Sequence, residues 1–144
     1  MTDPADAYLA PQTWLDKALQ ECVAARLMAG AKLWAQCFYH AGFALECALK
    51  YRIMVANGWN RWPERNERRE LYSHNLTELA TQAGIIDHLL AAIKDGAPLG
   101  QTWLIAKDWS NETRYDPRPF PRRRGEDMLW AVDEMGLVTW LLNL

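Results

Sequence analysis

The stretch Tyr39-His-Ala-Gly-Phe-Ala-Leu-Glu-Cys-Ala-Leu-Lys50 decides the fold of this chain. Its small and apolar residues recur three and four positions apart, which is the spacing of a buried helix face. The same spacing continues on both sides, so we predict one long helix over residues 31–57. Asn57 and Gly58 follow its last apolar residues, and such a pair is typical of a left-handed helix end.

A second long helix is predicted before this stretch, over residues 11–28. Pro11 suits a first helical turn, where its missing N–H costs nothing. The apolar residues of this helix also follow the helical spacing: Leu15, Ala18, Leu19, Cys22, Val23 and Leu27. Gly30 marks the weak point between the two helices.

Shorter helices are predicted in the second half of the chain. Asn75 and Glu78 resemble a capping box that opens a helix closed by Gly84. Further helices are predicted over 86–94, from Pro98 onward, and from about Glu126, with a proline-containing and arginine-rich loop over 110–125. No alternating stretch is long enough to predict a strand. We therefore expect a single all-α domain over residues 1–144, an antiparallel up-and-down bundle of four or more helices.

Composition restricts the class of protein. The net charge is only −2, half of the residues are apolar, and no apolar run is long enough for a membrane span. The N-terminus has no basic and then apolar segment, so we expect a cytoplasmic protein. The three cysteines have neither zinc nor disulfide spacing and are expected in the core. Eight tryptophans exceed what a small core hides comfortably, and on this ground we expect a homodimer.

Three blocks of sequence resemble the HEPN family of helical-bundle proteins. They are the helix above, with Tyr39, Gly42, Glu46 and Lys50; the stretch Leu71-Tyr-Ser-His-Asn-Leu-Thr-Glu-Leu79; and Trp109-Ser-Asn-Glu-Thr-Arg-Tyr-Asp-Pro117. The resemblance implies a bundle that is often dimeric. It also implies a context of RNA, nucleotides, toxin–antitoxin pairs or phage defence, with a nucleotidyltransferase as a candidate partner.

The motif in the predicted helix over residues 31–57 can also be explained by packing alone, without the family resemblance. Glu46 and Lys50 form an i,i+4 ion pair, and Gly42 would let a neighbouring helix come close. On this reading the four motif residues mainly hold the bundle together.

Arg69 and His74 are the candidate catalytic residues. Many HEPN proteins resemble metal-independent ribonucleases with an Arg, four to six residues and a His, and Arg69-Glu-Leu-Tyr-Ser-His74 matches that spacing. An imidazole can move a proton at a ribose 2′-hydroxyl, and a guanidinium can stabilise phosphoryl charge. Two departures favour a helix-entry histidine beside a solvated loop instead. Glu70 replaces the usual Asn or Asp, and the family motif usually belongs to a later helix.

A second basic cluster is the candidate RNA- or nucleotide-binding surface. It comprises Arg114, Tyr115, Arg118, Arg122, Arg123 and Arg124. With an exposed Trp109, these residues would bind phosphate and stack a base. No metal site and no cofactor is predicted. The leading hypothesis is a binding or regulatory module associated with RNA or nucleotides. The alternatives are a ribonuclease toxin and a purely structural interaction domain.

Overall fold

A computed structural model describes residues 10–144, except for the side chain of Arg114. Within this part of the chain the regular structure is helical and contains no strand, so the all-α prediction is confirmed. The α-helices are α1 (Pro11–Gly30), α2 (Trp34–Asn57), α3 (Leu76–Gln82), α4 (Ile86–Lys94), α5 (Pro98–Ala106), α6 (Arg122–Leu129) and α7 (Leu137–Leu142). None of the helices in the described residues has both the length and the apolar character needed to cross a membrane.

Helix α2 is the centre of the molecule. It packs against α1, α3, α6 and α7, and its side chains are therefore buried on several sides. Leu45, Leu49 and Ile53 are at most 1 % exposed. The helix ends as predicted, because Gly58 adopts a left-handed conformation with φ of 66°. Its start differs by three residues, since residues 31–33 form the turn that joins α1 to α2.

The start of α3 has a cap of three side chains. Asn75 Oδ1 accepts a hydrogen bond from the backbone N–H of Glu78, as a capping residue should. The carboxylate of Glu78 does not return to Asn75 directly. It accepts from the hydroxyl of Ser73, and the Ser73 oxygen accepts from the N–H of Asn75.

Replacing Asn75 with alanine is expected to lower the free energy of unfolding by about 1 kcal/mol, because one N–H of the first turn loses its acceptor. Denaturant unfolding of the Asn75→Ala and Asn75→Asp variants measures this effect. Asn75→Asp keeps the acceptor and is expected to stay within about 0.5 kcal/mol of the natural chain. Equal losses in both variants would contradict the capping role.

The C-terminal helix differs from the prediction. Helix α6 begins at Arg122, within the segment expected to be a loop, directly after Pro121. Two ion pairs at i,i+4 spacing, Arg122 with Glu126 and Arg123 with Asp127, support its first turns. A π-helical segment, Trp130–Glu134, and a left-handed Gly136 then separate α6 from α7. The single final helix predicted from about Glu126 is therefore wrong.

The eight tryptophans are all at least partly buried. Trp62, Trp103 and Trp109 belong to the core, and the other five are half-buried. The expectation of a homodimer rested on more tryptophan than a small core hides; none of the eight is fully exposed, and the homodimer stays a prediction.

Candidate functional site

Glu46 is a buried carboxylate that uses both of its oxygens. It lies on α2 and is only 1 % exposed. Its Oε2 lies 3.2 Å from Lys50 Nζ, and its Oε1 lies 2.8 Å from His74 Nδ1. Glu46 and Lys50 are thus the predicted i,i+4 pair, and both side chains are buried.

Lys50 is held between two aromatic rings. Its ammonium nitrogen lies 5.1 Å from the ring centroid of Trp14 and 5.8 Å from that of Trp62. The two rings meet edge to face, with centroids 5.3 Å apart. An ammonium group loses much hydration when it is buried, and the carboxylate together with the two ring faces offsets this loss. Trp14 on α1 and Trp62 after α2 therefore both contact the ammonium group of Lys50.

His74 is the exposed end of this chain of contacts. Its side chain is 58 % exposed although its partner Glu46 is buried. A carboxylate only accepts hydrogen bonds, so Nδ1 is the donor in this contact. Nε2 has no hydrogen-bond partner among residues 10–144. The ring is therefore held in one orientation, and its Nε2 can exchange a proton with, or bind, a group outside the protein.

Arg69 is close to His74 in sequence but is not bonded to it. It opens the short 3₁₀ turn Arg69–Leu71, and Leu71 fixes this turn in the core with 1 % exposure. Within residues 10–144, the Arg69 guanidinium takes part in no hydrogen bond or ion pair. The structure places both candidate catalytic residues on the surface, on either side of buried Leu71, without direct contact.

The segment before His74 carries arginines on aromatic rings. The guanidinium of Arg68 lies 5.4 Å from the centroid of Trp59, and that of Arg65 lies 5.9 Å from the centroid of Tyr72. An open groove of about 610 Å³ runs along this segment and is lined by Gly58, Trp59, Asn60, Arg61, Trp62, Pro63, Glu67 and Arg68. Acidic residues of the same segment offset part of its positive charge. Arg61 pairs with Glu64 at 3.4 Å, and Arg68 pairs with Glu70 at 3.8 Å. We call the surface formed by residues 59–74 the 59–74 edge.

A second histidine is held in the same way, and sequence reasoning missed it. His40 Nδ1 lies 2.5 Å from Glu21 Oε2, and Glu21 Oε1 lies 3.0 Å from Lys17 Nζ. Glu21 is 7 % exposed, and Lys17 also lies over the ring of Phe43. The signal in the sequence was the i,i+4 spacing of Lys17 and Glu21, which repeats that of Glu46 and Lys50.

Of the arginines in the predicted RNA-binding cluster whose side chains are described, three pair with neighbouring carboxylates. Arg118 binds the Asp116 carboxylate with contacts as short as 2.6 Å, and Arg123 lies 3.8 Å from Asp127. Arg122 pairs with Glu126 and lies over the ring of Trp34. Arg124 lies over Phe38 and Phe120, while Tyr115 is 72 % exposed. The Arg114 side chain lies outside what the structure describes.

Trp109 is not the exposed stacking residue that the sequence predicted. It is 4 % exposed, and its Nε1–H donates a hydrogen bond of 3.1 Å to the backbone carbonyl of Phe38. Its ring lies against Gly42 of α2. The cluster therefore lacks its expected base platform.

The ion pair between Asp116 and Arg118 of the predicted RNA-binding cluster is a strong one. Hydrogen bonds from the Arg118 side chain and backbone lower the pKa of the Asp116 carboxyl to about 2. The carboxylate therefore stays charged at neutral pH and remains available to Arg118.

The three cysteine thiols are expected to be unreactive in the folded protein. All three are buried, and burial raises the pKa of Cys22 and Cys37 to about 11 and that of Cys47 to about 12. Less than about one thiol in a thousand is then ionised at pH 8. We expect no reaction with Ellman's reagent at pH 8 until guanidinium is added, and three equivalents afterwards. Rapid reaction of one equivalent in the native protein would contradict this assignment.

Within the described residues, no group of three or more His, Cys, Asp and Glu side chains could hold a metal ion. No protein-family model, no curated protein and no solved structure matches this chain.

Proposed function

We propose that this protein is a HEPN-like antiparallel bundle that binds the phosphate groups of RNA or nucleotides at its 59–74 edge. The antiparallel arrangement is supported by two contacts between α1 and α2. Trp14, near the start of α1, meets Lys50 in the second half of α2, whereas Glu21 meets His40 in the first half. A nucleotidyltransferase partner remains part of this proposal because the family resemblance implies one.

The observation that carries the proposal is the anchored imidazole of His74. Its ring is hydrogen-bonded through Nδ1 to buried Glu46 and is mostly exposed. It belongs to the 59–74 edge, whose groove at residues 58–68 carries arginines and aromatic rings. Cationic side chains along a groove, combined with aromatic faces, form the arrangement that holds single-stranded nucleic acid. The predicted cluster at residues 114–124 is the competing surface, but three of its four arginines with described side chains are ion-paired.

Two matched triple variants decide between the surfaces. Binding of a fluorescent single-stranded RNA is measured by anisotropy at several salt concentrations. We expect Arg65→Ala, Arg68→Ala and Arg69→Ala together to weaken binding at least about tenfold and to flatten the salt dependence. Replacing Arg122, Arg123 and Arg124 with alanine is expected to change binding less than threefold.

The reverse ranking would move the site to the second cluster, as the sequence analysis predicted. Absence of salt-dependent binding in the natural chain would overturn RNA binding and leave the purely structural interaction domain.

A second candidate function is metal-independent RNA cleavage, and one observation favours it. The hydrogen bond from Nδ1 to Glu46 orients His74 so that Nε2 can take the 2′-hydroxyl proton. The 2′-oxygen then attacks phosphorus while the P–O5′ bond breaks, and the leaving 5′-oxygen takes a proton from water. Arg69, which is exposed on the same 59–74 edge, would stabilise the charge that develops on the phosphoryl oxygens.

Cleavage that persists in EDTA, leaves 2′,3′-cyclic phosphate ends and is lost in both His74→Ala and Arg69→Ala is the expected result of this mechanism. His88→Ala, which changes an exposed histidine on α4, is the matched control. RNA that is bound but stays intact would exclude cleavage while leaving the binding proposal standing.

A further inference from the structure

Two polar side chains that line the groove of the 59–74 edge bind nothing within the protein. Neither Asn60 nor Glu67 has a side-chain hydrogen bond or ion pair with any of the described residues. The other two carboxylates of this segment, those of Glu64 and Glu70, each pair with an arginine. A free carboxylate repels phosphate, so its presence in a phosphate-binding groove is explained best if it accepts hydrogen bonds from another part of the ligand.

A surface on which a base can stack lies in the same groove. The half-buried ring of Trp59 lines it, and the guanidinium of Arg68 lies 5.4 Å from the centroid of that ring. Nucleic-acid bases stack on aromatic rings and on guanidinium groups alike. The groove has a volume of about 610 Å³, which falls in the range of roughly 300–1,000 Å³ that is typical of small-ligand sites. It can therefore hold one nucleotide.

The loop that carries Glu67 is fixed to the core at both ends. Trp62 is 2 % exposed on one side of it, and Leu71 is 1 % exposed on the other. The hydroxyl of Tyr72 donates a hydrogen bond of 2.7 Å to the backbone carbonyl of Pro63, which ties the two ends together. The wall of the groove at Glu67 therefore belongs to a closed loop with a defined position on the bundle.

We propose that this groove binds a guanine base, whose N1–H and N2–H₂ groups donate hydrogen bonds to the Glu67 carboxylate. The inference rests on the proposed binding of RNA or nucleotides at the same edge and names the base. Guanine has two adjacent donors on its Watson–Crick edge, and a carboxylate offers two adjacent acceptors. Adenine, cytosine and uracil each place an acceptor beside the donor, so one carboxylate oxygen would meet a lone pair. The amide N–H₂ of Asn60 supplies a donor for guanine O6.

The test compares short fluorescent RNAs of uridine that carry one guanosine, inosine or adenosine in the middle. Their dissociation constants are measured by anisotropy with the full chain. We expect the guanosine RNA to bind about fivefold or more tightly than the adenosine RNA, which is the lower end for a bidentate contact with a base. Inosine lacks the N2 amino group and is expected to fall between the two.

Glu67→Gln is expected to remove the preference for guanosine, because an amide presents one donor and one acceptor in place of two acceptors. Its affinity for the RNA of uridine alone is expected to stay the same or to rise, since a negative charge leaves the groove. Glu64→Gln is the matched control. It removes the same charge from the same segment, but Glu64 does not line the groove, so the preference is expected to persist. Both positions are exposed, and circular dichroism confirms that the variants remain folded.

Three results would contradict the inference in different ways. Equal binding of the guanosine and adenosine RNAs by the natural chain would overturn it and leave the proposed phosphate binding standing. A preference that Glu67→Gln does not reduce would overturn it as well, because another group would then read the base. Absence of binding to every RNA would overturn the proposed function together with the inference.

A competition experiment separates a guanine within RNA from a free nucleotide as the source of the base. Guanosine monophosphate and adenosine monophosphate are each added to the complex with the guanosine RNA. We expect the guanosine nucleotide to displace the RNA at a concentration about fivefold or more below that of the adenosine nucleotide, and Glu67→Gln to abolish this difference. Equal displacement by both nucleotides would contradict base recognition at the groove.

Discussion

Replacing Glu46 with leucine is expected to lower the free energy of unfolding by about 3–5 kcal/mol, because Lys50 then remains buried without a counter-charge. Glu46 is 1 % exposed and Lys50 is 7 % exposed, so water cannot replace the lost carboxylate. The two rings beside Lys50 attract its ammonium group, but their contribution of about 1–2 kcal/mol is too small to compensate. Chemical denaturation of the two chains measures the difference.

The double variant Glu46→Leu with Lys50→Met provides the decisive comparison. It removes both charges and keeps a similar volume, so we expect its stability to return to within about 1 kcal/mol of the natural chain or to exceed it. Glu126→Leu is the matched control, because Glu126 and Arg122 form an exposed pair at the same spacing. Its loss is expected to stay below about 0.5 kcal/mol. Equal losses in Glu46→Leu and Glu126→Leu would show that Lys50 is not a buried charge.

Replacing Gly42 with alanine is expected to destabilise the protein by about 3 kcal/mol or more, although alanine favours a helix by about 1 kcal/mol. An added Cβ would lie 2.1 Å from the indole ring of Trp109, which is a rigid group and not the end of a flexible chain. The ring would have to leave its site and break its hydrogen bond to the Phe38 carbonyl. Overpacking and the lost bond therefore act in the same direction.

Gly30→Ala is the control for the Gly42 variant. Gly30 is the last residue of α1, and no atom lies within 4 Å of an added Cβ. We expect this variant to be neutral or slightly more stable than the natural chain. If Gly42→Ala were as stable as Gly30→Ala, the Trp109 ring could not be packed directly against Gly42 of α2. Thermal unfolding of both variants supplies the comparison.

The sequence was most informative where local signals act. Pro11 and Pro98 mark helix starts, and Asn75 with its capping partners marks another. Left-handed glycines such as Gly58 mark helix ends. These signals depend only on the backbone of a few neighbouring residues, so the rest of the fold does not change the structure that they predict.

Long-range contacts were not predicted. Nothing near Trp109 in the sequence indicates that its ring fills the space above Gly42, and the expectation of a close helix there was therefore wrong in detail. Helical spacing also did not reveal which side of α1 is covered. Ala18 and Leu19 both fit the helical period, yet Ala18 is buried and Leu19 is exposed. That choice depends on how closely α2 approaches, which is a property of the whole fold.

The shared carboxylate at position 46 has a consequence for genetics. A screen for loss of activity will return Glu46 and Lys50 whatever reaction or ligand the protein has, because most replacements there reduce the amount of folded chain. His74 is different, since its ring is mostly in solvent and its removal leaves Glu46 paired with Lys50. Alleles at position 74 therefore report on what the protein does, whereas alleles at positions 46 and 50 report on whether it accumulates in the cell.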